Sequence, residues 1–237
     1  MDKHYDLSGY RLLVLDMDLT ITIPKRPEFY SQYGDKVVEA ISEYFDVSQS
    51  EALEIANFYR QECGGAEHAL YNGDPHHHFD VVKRPADYAL LHRKISEIDP
   101  TGEFIDQTIL KPYIQQLRQD GTQVIVLTSS PDILAQKILH ESGFDPNDDF
   151  DAVFAYETNA GPTKIIQGSQ AFLDVMSRFN CAASETLCVG DSIHHDIDPA
   201  LAIGADAYLI STTPINGYKT VPNLETLLKN NKRKPTP

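Results

Sequence analysis

Three short apolar runs, each closing on an oxygen-bearing side chain, constrain this chain more than any other feature. They are Arg11–Asp16 (RLLVLD), Gln123–Thr128 (QVIVLT) and Thr186–Asp191 (TLCVGD). Runs this short and this continuously apolar are the pattern of strands buried on both faces of a parallel sheet. Asp151–Ala155 and Ala205–Ile210 read as further strands. Helical patterns lie between them. Pro131–Ser142 has Ser130 as its expected N-cap, Pro131 in its first turn and Gly143 just past its end. Gln170–Phe179 and Asp196–Ile203 also keep helical spacing. Strands alternating with helices predict an α/β fold built on a mostly parallel sheet.

The stretch from Ile23 to Asp106 carries no buried-strand signal. Val37, Val38, Ile41 and Phe45 follow a helical period, and Ser48 with Glu51 forms a capping-box pattern ahead of Ala52–Arg60. Val81–Ile98 reads as a third helical region broken by Pro85. The simplest architecture is an α/β domain from residues 1–22 and 107–228 with a helical insert at 23–106. The polar, basic end at 229–237 is expected to fray. There is no internal repeat.

With 237 residues and 41% hydrophobic content, the chain can bury a full core. No apolar run approaches the roughly 20 residues that span a bilayer, and Met1–Tyr10 has no signal-peptide character, which predicts a cytoplasmic protein. A net charge of −15 argues against a nucleic-acid polymer or an anionic membrane as partner. The same acidity suits a site that holds a divalent cation. Cys63, Cys181 and Cys188 are too scattered for a disulfide framework or a metal pair, and read as buried reduced thiols.

Ligands of open α/β sheets bind at the carboxyl ends of the strands. There the first strand offers Asp16 and Asp18, two carboxylates at i and i+2 that leave the strand on one side. One can serve as nucleophile while the other manages protons. Thr128, Ser129 and Ser130 place hydroxyls beside a helix start, which suits a phosphate oxygen. Asp191 and Asp196, in Gly190–Asp196 (GDSIHHD), can supply hard oxygen ligands to Mg²⁺.

Asp16–Thr20, the strand ending in Thr128, and Gly190–Asp196 together resemble the first, second and fourth motifs of the haloacid dehalogenase (HAD) superfamily of phosphatases, in order and in spacing. The resemblance covers nearly the whole chain. It implies a Rossmann-like doubly wound core with a helical cap after the first strand. It also implies a Mg²⁺-dependent phosphomonoesterase acting through an aspartyl-phosphate. Asp16 would be the nucleophile and Asp18 the acid and base. Thr128, Ser129 and Lys164 would bind phosphate, and Asp16, Asp18, Asp191 and Asp196 would surround the metal. Lys164 takes the place of the third-motif lysine as the only lysine between the third strand and the fourth motif, although the usual Lys-Pro order is missing. Asp18 separates the chain from the dehalogenases, which lack a second acid.

Within the superfamily, Tyr59-Arg60, Gly64–Leu70 and His78–Asp80 are similar to the pyrimidine 5′-nucleotidase-like branch, while Leu19 and Ser129 depart from it. A small phosphate monoester, with a nucleoside 5′-monophosphate as one candidate, is the implied partner. A phosphosugar mutase and a non-catalytic binding protein on the same fold are the alternatives. The intact set of acids argues against the latter. His76-His77-His78 reads as a polar loop or helix start rather than a metal site, because adjacent histidines rarely face one ion. His194 and His195 read as loop residues, one of which could touch substrate. Lys25 and Arg26 read equally as surface charge or as recruiters of an anion. Tyr59 and Arg60 fit helix packing as readily as a cleft.

Overall fold

The computed structural model describes residues 5–63, 65–67, 69–70, 85–156 and 164–231. Six strands form one parallel sheet: β1 (Leu12–Leu15), β2 (Gln123–Pro131), β3 (Ala152–Tyr156), β4 (Thr186–Gly190), β5 (Asp206–Ile210) and β6 (Thr220–Val221). Their order is β3-β2-β1-β4-β5-β6, so β1 lies between the two other strands that close on polar residues. Leu15 pairs with Val126 on one side and Val189 on the other. This register brings the residues after β1, the end of β2 and the residues after β4 to one edge of the sheet. The expected Rossmann-like α/β class is the observed one.

The sheet is apolar on both faces. Leu13, Leu15, Val124, Val126, Leu187 and Val189 point into one core. Leu12, Val14, Ile125, Leu127 and Cys188 point into the other. Alternation along a strand sends neighbours to opposite faces, which is why these strands read as unbroken apolar runs.

The helices given in full by the described residues are α1 (Phe29–Phe45), α2 (Gln49–Cys63), α3 (Pro85–Ser96), α4 (Lys111–Gln119), α5 (Asp132–Glu141), α6 (Lys164–Gln167), α7 (Ser169–Arg178), α8 (Asp198–Ala202) and α9 (Leu224–Lys229). Helices α1, α2 and α3 occur between β1 and β2. They share a core of Val37, Ile41, Ile55, Tyr59, Leu91 and Ile95, continuous with one face of the sheet. The chain leaves and re-enters this region through a paired ribbon. Lys25 N donates to Glu103 O at 2.7 Å, Ile105 N donates to Ile23 O at 2.9 Å, and Pro24 bridges Phe104 antiparallel. Phe29 packs edge-on against Phe104 at 4.8 Å.

Several expectations are corrected. Ser130 is not the N-cap of α5. Strand β2 continues to Pro131, which pairs with Tyr156 after a register shift, and Pro131 itself precedes the helix at φ −56°, ψ 142°. A proline also disfavours helical geometry in the residue before it, so Ser130 stays extended and its hydroxyl is released for another partner. Pro85 is the first residue of the third helix as described, a position where its missing N–H costs nothing; residues 81–84, on the other side of the expected break, lie outside the described set. The helix expected over Asp196–Ile203 is two elements, a π-helical turn at Ile193–Ile197 and then α8, which carries Pro199 in its first turn. Lys229 closes α9. Tyr5 N donates to Asn230 O at 3.1 Å; residues 232–237 of the stretch expected to fray lie outside the described set. The α4 helix and strand β6 were not expected.

Cys188 is buried and Cys181 partly so, both as free thiols; the Cys63 side chain lies outside the described set. No helix among the described residues is long and apolar enough to cross a membrane.

Candidate active site

A cavity of about 340 Å³ opens at the carboxyl edge of β1, β2 and β4, bordered by Asp16, Asp18, Thr128, Ser129, Lys164, Asp191 and Asp196. The acids, hydroxyls and lysine that the family resemblance assigns to the site therefore border one cavity. Tyr30, Tyr33, Glu67, Ser130, Ser192 and His195 complete much of its wall.

Asp16 follows β1 directly, and its backbone N donates to Val189 O at 2.8 Å, which ties it to β4. The chain then turns sharply. The amides of Ile21 and Thr22 and the Thr22 hydroxyl all donate to Met17 O, at 2.9, 2.9 and 3.0 Å. Leu19 adopts φ 59° within this turn, a left-handed conformation that costs a branched-chain residue energy and marks the turn as tightly held.

Lys164 opens α6 and is buried, 4% exposed. Its ammonium contacts Asp16 and lies 2.5 Å from Asp196 Oδ1. Burial works against the lysine's charge, but the two carboxylates outweigh it and hold its pKa above the ordinary value. The other Asp196 oxygen accepts from Ser192 N at 3.0 Å. Asp16 shows the reverse balance: burial raises its pKa and Lys164 opposes the rise.

Asp18 faces a different environment. Oδ1 accepts from the Tyr30 hydroxyl at 2.9 Å and Oδ2 from the Ser130 hydroxyl at 2.8 Å. Burial raises its pKa, and these two donors pull it back. Two carboxylates two residues apart are thus distinguished, one by a buried ammonium and the other by two neutral donors.

The Thr128 hydroxyl is buried and accepts from Ser130 N at 3.0 Å. Ser129 Oγ is buried without a hydrogen-bond partner. Orphan buried hydroxyls are costly, and one on a cavity wall points to a ligand that completes it.

Asp16, Asp191 and Asp196 each bring a carboxylate oxygen to within 4.8 Å of the others. Asp191 is pushed up to about 6, first by burial and then by the negative charge of Asp196. A cluster of hard oxygens whose members raise one another's pKa fits Mg²⁺, which takes carboxylate oxygens and would relieve that repulsion.

The remaining sequence candidates separate. Lys25 and Arg26 turn to the ribbon: Lys25 Nζ donates to Gly102 O at 2.9 Å and Arg26 Nε to Glu103 Oε2 at 3.0 Å. Tyr59 is fully buried in the core, and Arg60 donates to Asn57 Oδ1 at 2.7 Å. His195 borders the cavity and His194 is exposed. His76–His78 fall outside the described residues. Sequence reasoning missed Tyr30 and Tyr33, which come from α1 with no motif to mark them; Glu67 fell within the Gly64–Leu70 similarity but was given no role of its own.

A family model described as haloacid dehalogenase-like hydrolase matches residues 10–204. Comparison with curated protein sequences gives no significant match. Among solved structures, the chain is similar to a HAD phosphatase from Thermococcus onnurineus (20% identity, TM-score 0.55, covering 92% of this chain and 96% of that one). It is similar to a haloacid dehalogenase-like family hydrolase from Xanthomonas campestris (16%, 0.53, 93% and 90%). It is also similar to CbbY from Rhodobacter sphaeroides in complex with phosphate (13%, 0.57, 92% and 99%). At these identities the structural likeness establishes the fold.

Proposed function

Because the chain belongs to the haloacid dehalogenase-like hydrolase family, we propose that it is a Mg²⁺-dependent phosphomonoesterase working through an aspartyl-phosphate on Asp16. The observation that carries this reading is the split between the two acids. Asp16 is held by Lys164, while Asp18, in the same cavity, has both oxygens on neutral donors.

In the first half-reaction an Asp16 oxygen attacks phosphorus in line. The bond from phosphorus to the ester oxygen breaks, and Asp18 gives its proton to the departing alkoxide. Burial, which raises the Asp18 pKa, favours the protonated acid this step needs. In the second half-reaction Asp18 takes a proton from water, the water oxygen attacks phosphorus, and the bond to Asp16 breaks to release inorganic phosphate. Lys164 offsets the charge on Asp16 and the transferring group, and the Thr128 and Ser129 hydroxyls face phosphoryl oxygens. Asp16, Asp191 and the Asp18 backbone carbonyl would hold Mg²⁺, which supplies positive charge against the phosphoryl group. Asp196, with its oxygens on Lys164 and Ser192, keeps the lysine aimed and adds to the charge around the ion.

Residues 23–106 act in this reading as a cap over a core of 1–22 and 107–228. CbbY, solved with phosphate, supports a phosphate site on this fold. Nucleoside 5′-monophosphates are the first substrates to assay, although neither Tyr59 nor Arg60, which carry part of the nucleotidase similarity, borders the cavity.

The test is phosphate release from p-nitrophenyl phosphate and a panel of nucleoside and sugar monophosphates. Turnover is expected with Mg²⁺ and not after chelation, together with a hydroxylamine-sensitive phosphoryl label on the protein. An Asp16→Asn variant that still turned over would rule the mechanism out.

A further inference from the structure

Glu67 is the one charged residue on the described cavity wall that the proposed chemistry leaves unused. It lies between α2 and the tight turn in which Ala69 N donates to Ala66 O and Leu70 N to Glu67 O, at 3.2 and 3.0 Å. Ala66, Ala69 and Leu70 are all buried, so the turn is anchored in the core and Glu67 cannot swing out with it. Glu67 itself is only 6% exposed. A surface acid at a helix end would be solvated, and this one is not.

Buried carboxylates ordinarily carry a cationic partner. Among the described residues no lysine or arginine lies within ion-pair distance of Glu67. Burial raises its pKa, and only its own backbone amide and Arg60 oppose that rise. Gly65 leaves the space the carboxylate occupies: a β-carbon there would sit 2.9 Å from Oε2 and 3.0 Å from Oε1. Glu67 and Tyr33 border the same cavity as Asp18, and both come from the stretch between β1 and β2 that supplies the proposed cap. With the phosphoryl group against Asp16 and Lys164, the cap-supplied wall is where the organic half of the ester would lie.

We infer that Glu67 is a specificity-determining residue, selecting phosphate monoesters whose organic part presents an amine or hydroxyl donor and rejecting those whose organic part carries an anion. The inference rests on the phosphomonoesterase reading above. Asp16, Asp18, Asp191 and Asp196 have Lys164 and the proposed metal to balance them. Glu67 has no lysine or arginine within ion-pair distance among the described residues, and a substrate carboxylate brought beside its ionised form would meet both charge repulsion and an acceptor facing an acceptor. A hydroxyl or ammonium would satisfy it.

Three esters of similar size differ in the charge of the organic part: glucosamine 6-phosphate, glucose 6-phosphate and 6-phosphogluconate; the last is an open chain, so charge is separated from shape by comparing each ester between the wild type and Glu67→Gln. Each is measured as a competitor of p-nitrophenyl phosphate hydrolysis with Mg²⁺, giving a Ki, and as a substrate where it is turned over. For the wild-type enzyme the amino and neutral sugars should bind at least about tenfold more tightly than the sugar acid. Glu67→Gln, which keeps the shape and removes the charge, should narrow that gap by about tenfold, chiefly by admitting 6-phosphogluconate. Gly65→Ala keeps the acid but pushes it aside, and should narrow the gap in the same direction. Ki values that do not separate by charge, or that move in parallel for all three esters in Glu67→Gln, overturn the inference and leave the phosphomonoesterase intact. Absence of p-nitrophenyl phosphate hydrolysis in the wild type overturns both.

Discussion

A β-carbon on Gly190 would overlap the carboxylate of Asp196. The bare backbone at the end of β4 is what lets Asp196 fold back over the strand to reach both Lys164 and Ser192 N. Gly190→Ala should therefore misplace Asp196 and, through it, Lys164. Displacements of this kind far from the bond being broken cost on the order of 10²-fold in rate. The expected outcome is a loss of kcat of that size with a cooperative thermal melt retained. Wild-type activity in Gly190→Ala would show that Asp196 does not aim the lysine.

Ser129 and Thr128 are neighbours with opposite expectations. Ser129 Oγ is buried and unpartnered, so Ser129→Ala removes a group that costs the apo fold something. Its melting temperature should hold or rise slightly. If the hydroxyl binds phosphoryl oxygen, KM should rise about tenfold, the worth of one hydrogen bond to a charged group. Thr128→Ala also breaks the bond from Ser130 N and should lower the melting temperature as well.

If the acidic cluster holds Mg²⁺ as proposed, metal and low pH should stabilise the fold in the same way. Asp191 holds its proton more tightly folded, at about 6, than its ordinary value of 3.8. Its contribution to stability is therefore fully present below the unfolded value and is lost as pH rises through about 6. Metal-free protein should show this loss between about pH 4 and 7 in a thermal-melt series. Added Mg²⁺ should raise the melting temperature at pH 7 in a saturable way and flatten the series, because binding to the folded state alone stabilises it. A melting temperature indifferent to Mg²⁺ at pH 7 would remove the cation from the proposal.

Tyr30 reaches from α1 to Asp18. Its hydroxyl favours the ionised carboxylate, so Tyr30→Phe should raise the Asp18 pKa further above its ordinary range. The first half-reaction uses protonated Asp18. The alkaline limb of the kcat profile should accordingly move to higher pH, with a modest fall in rate at pH 7 from the less basic second half-reaction. An unmoved profile would mean that another group controls that limb.

The readable parts of this protein are those fixed by the backbone. Strands β1, β2 and β4 are buried on both faces, which forces continuous apolar sequence, and their ends inherit the sheet's alignment. Asp16, Thr128 and Asp191 were therefore legible from position, and Lys164 only as what the resemblance's third motif implied. Tyr30 was not, because it reaches the cavity from α1, whose orientation depends on packing among α1, α2 and α3, and Glu67, though inside the Gly64–Leu70 segment, had no pattern to show that it faces the site. Ser130 was misread because its hydroxyl had two uses, helix capping and bonding to Asp18, and Pro131 decided between them. Strand β6 spans only Thr220–Val221, too short to leave a period.

The ribbon that joins Ile23 and Lys25 to Glu103 and Ile105 has an evolutionary consequence. The two points where the chain departs from the sheet and comes back are clasped to each other, whatever lies between them. Insertions, deletions or wholesale replacement between 26 and 102 change the length of a loop already closed at its base. On the proposed function, Glu67 could then be exchanged while Asp16 is kept, with Tyr30, which donates to Asp18, the point where the two regions stay tied.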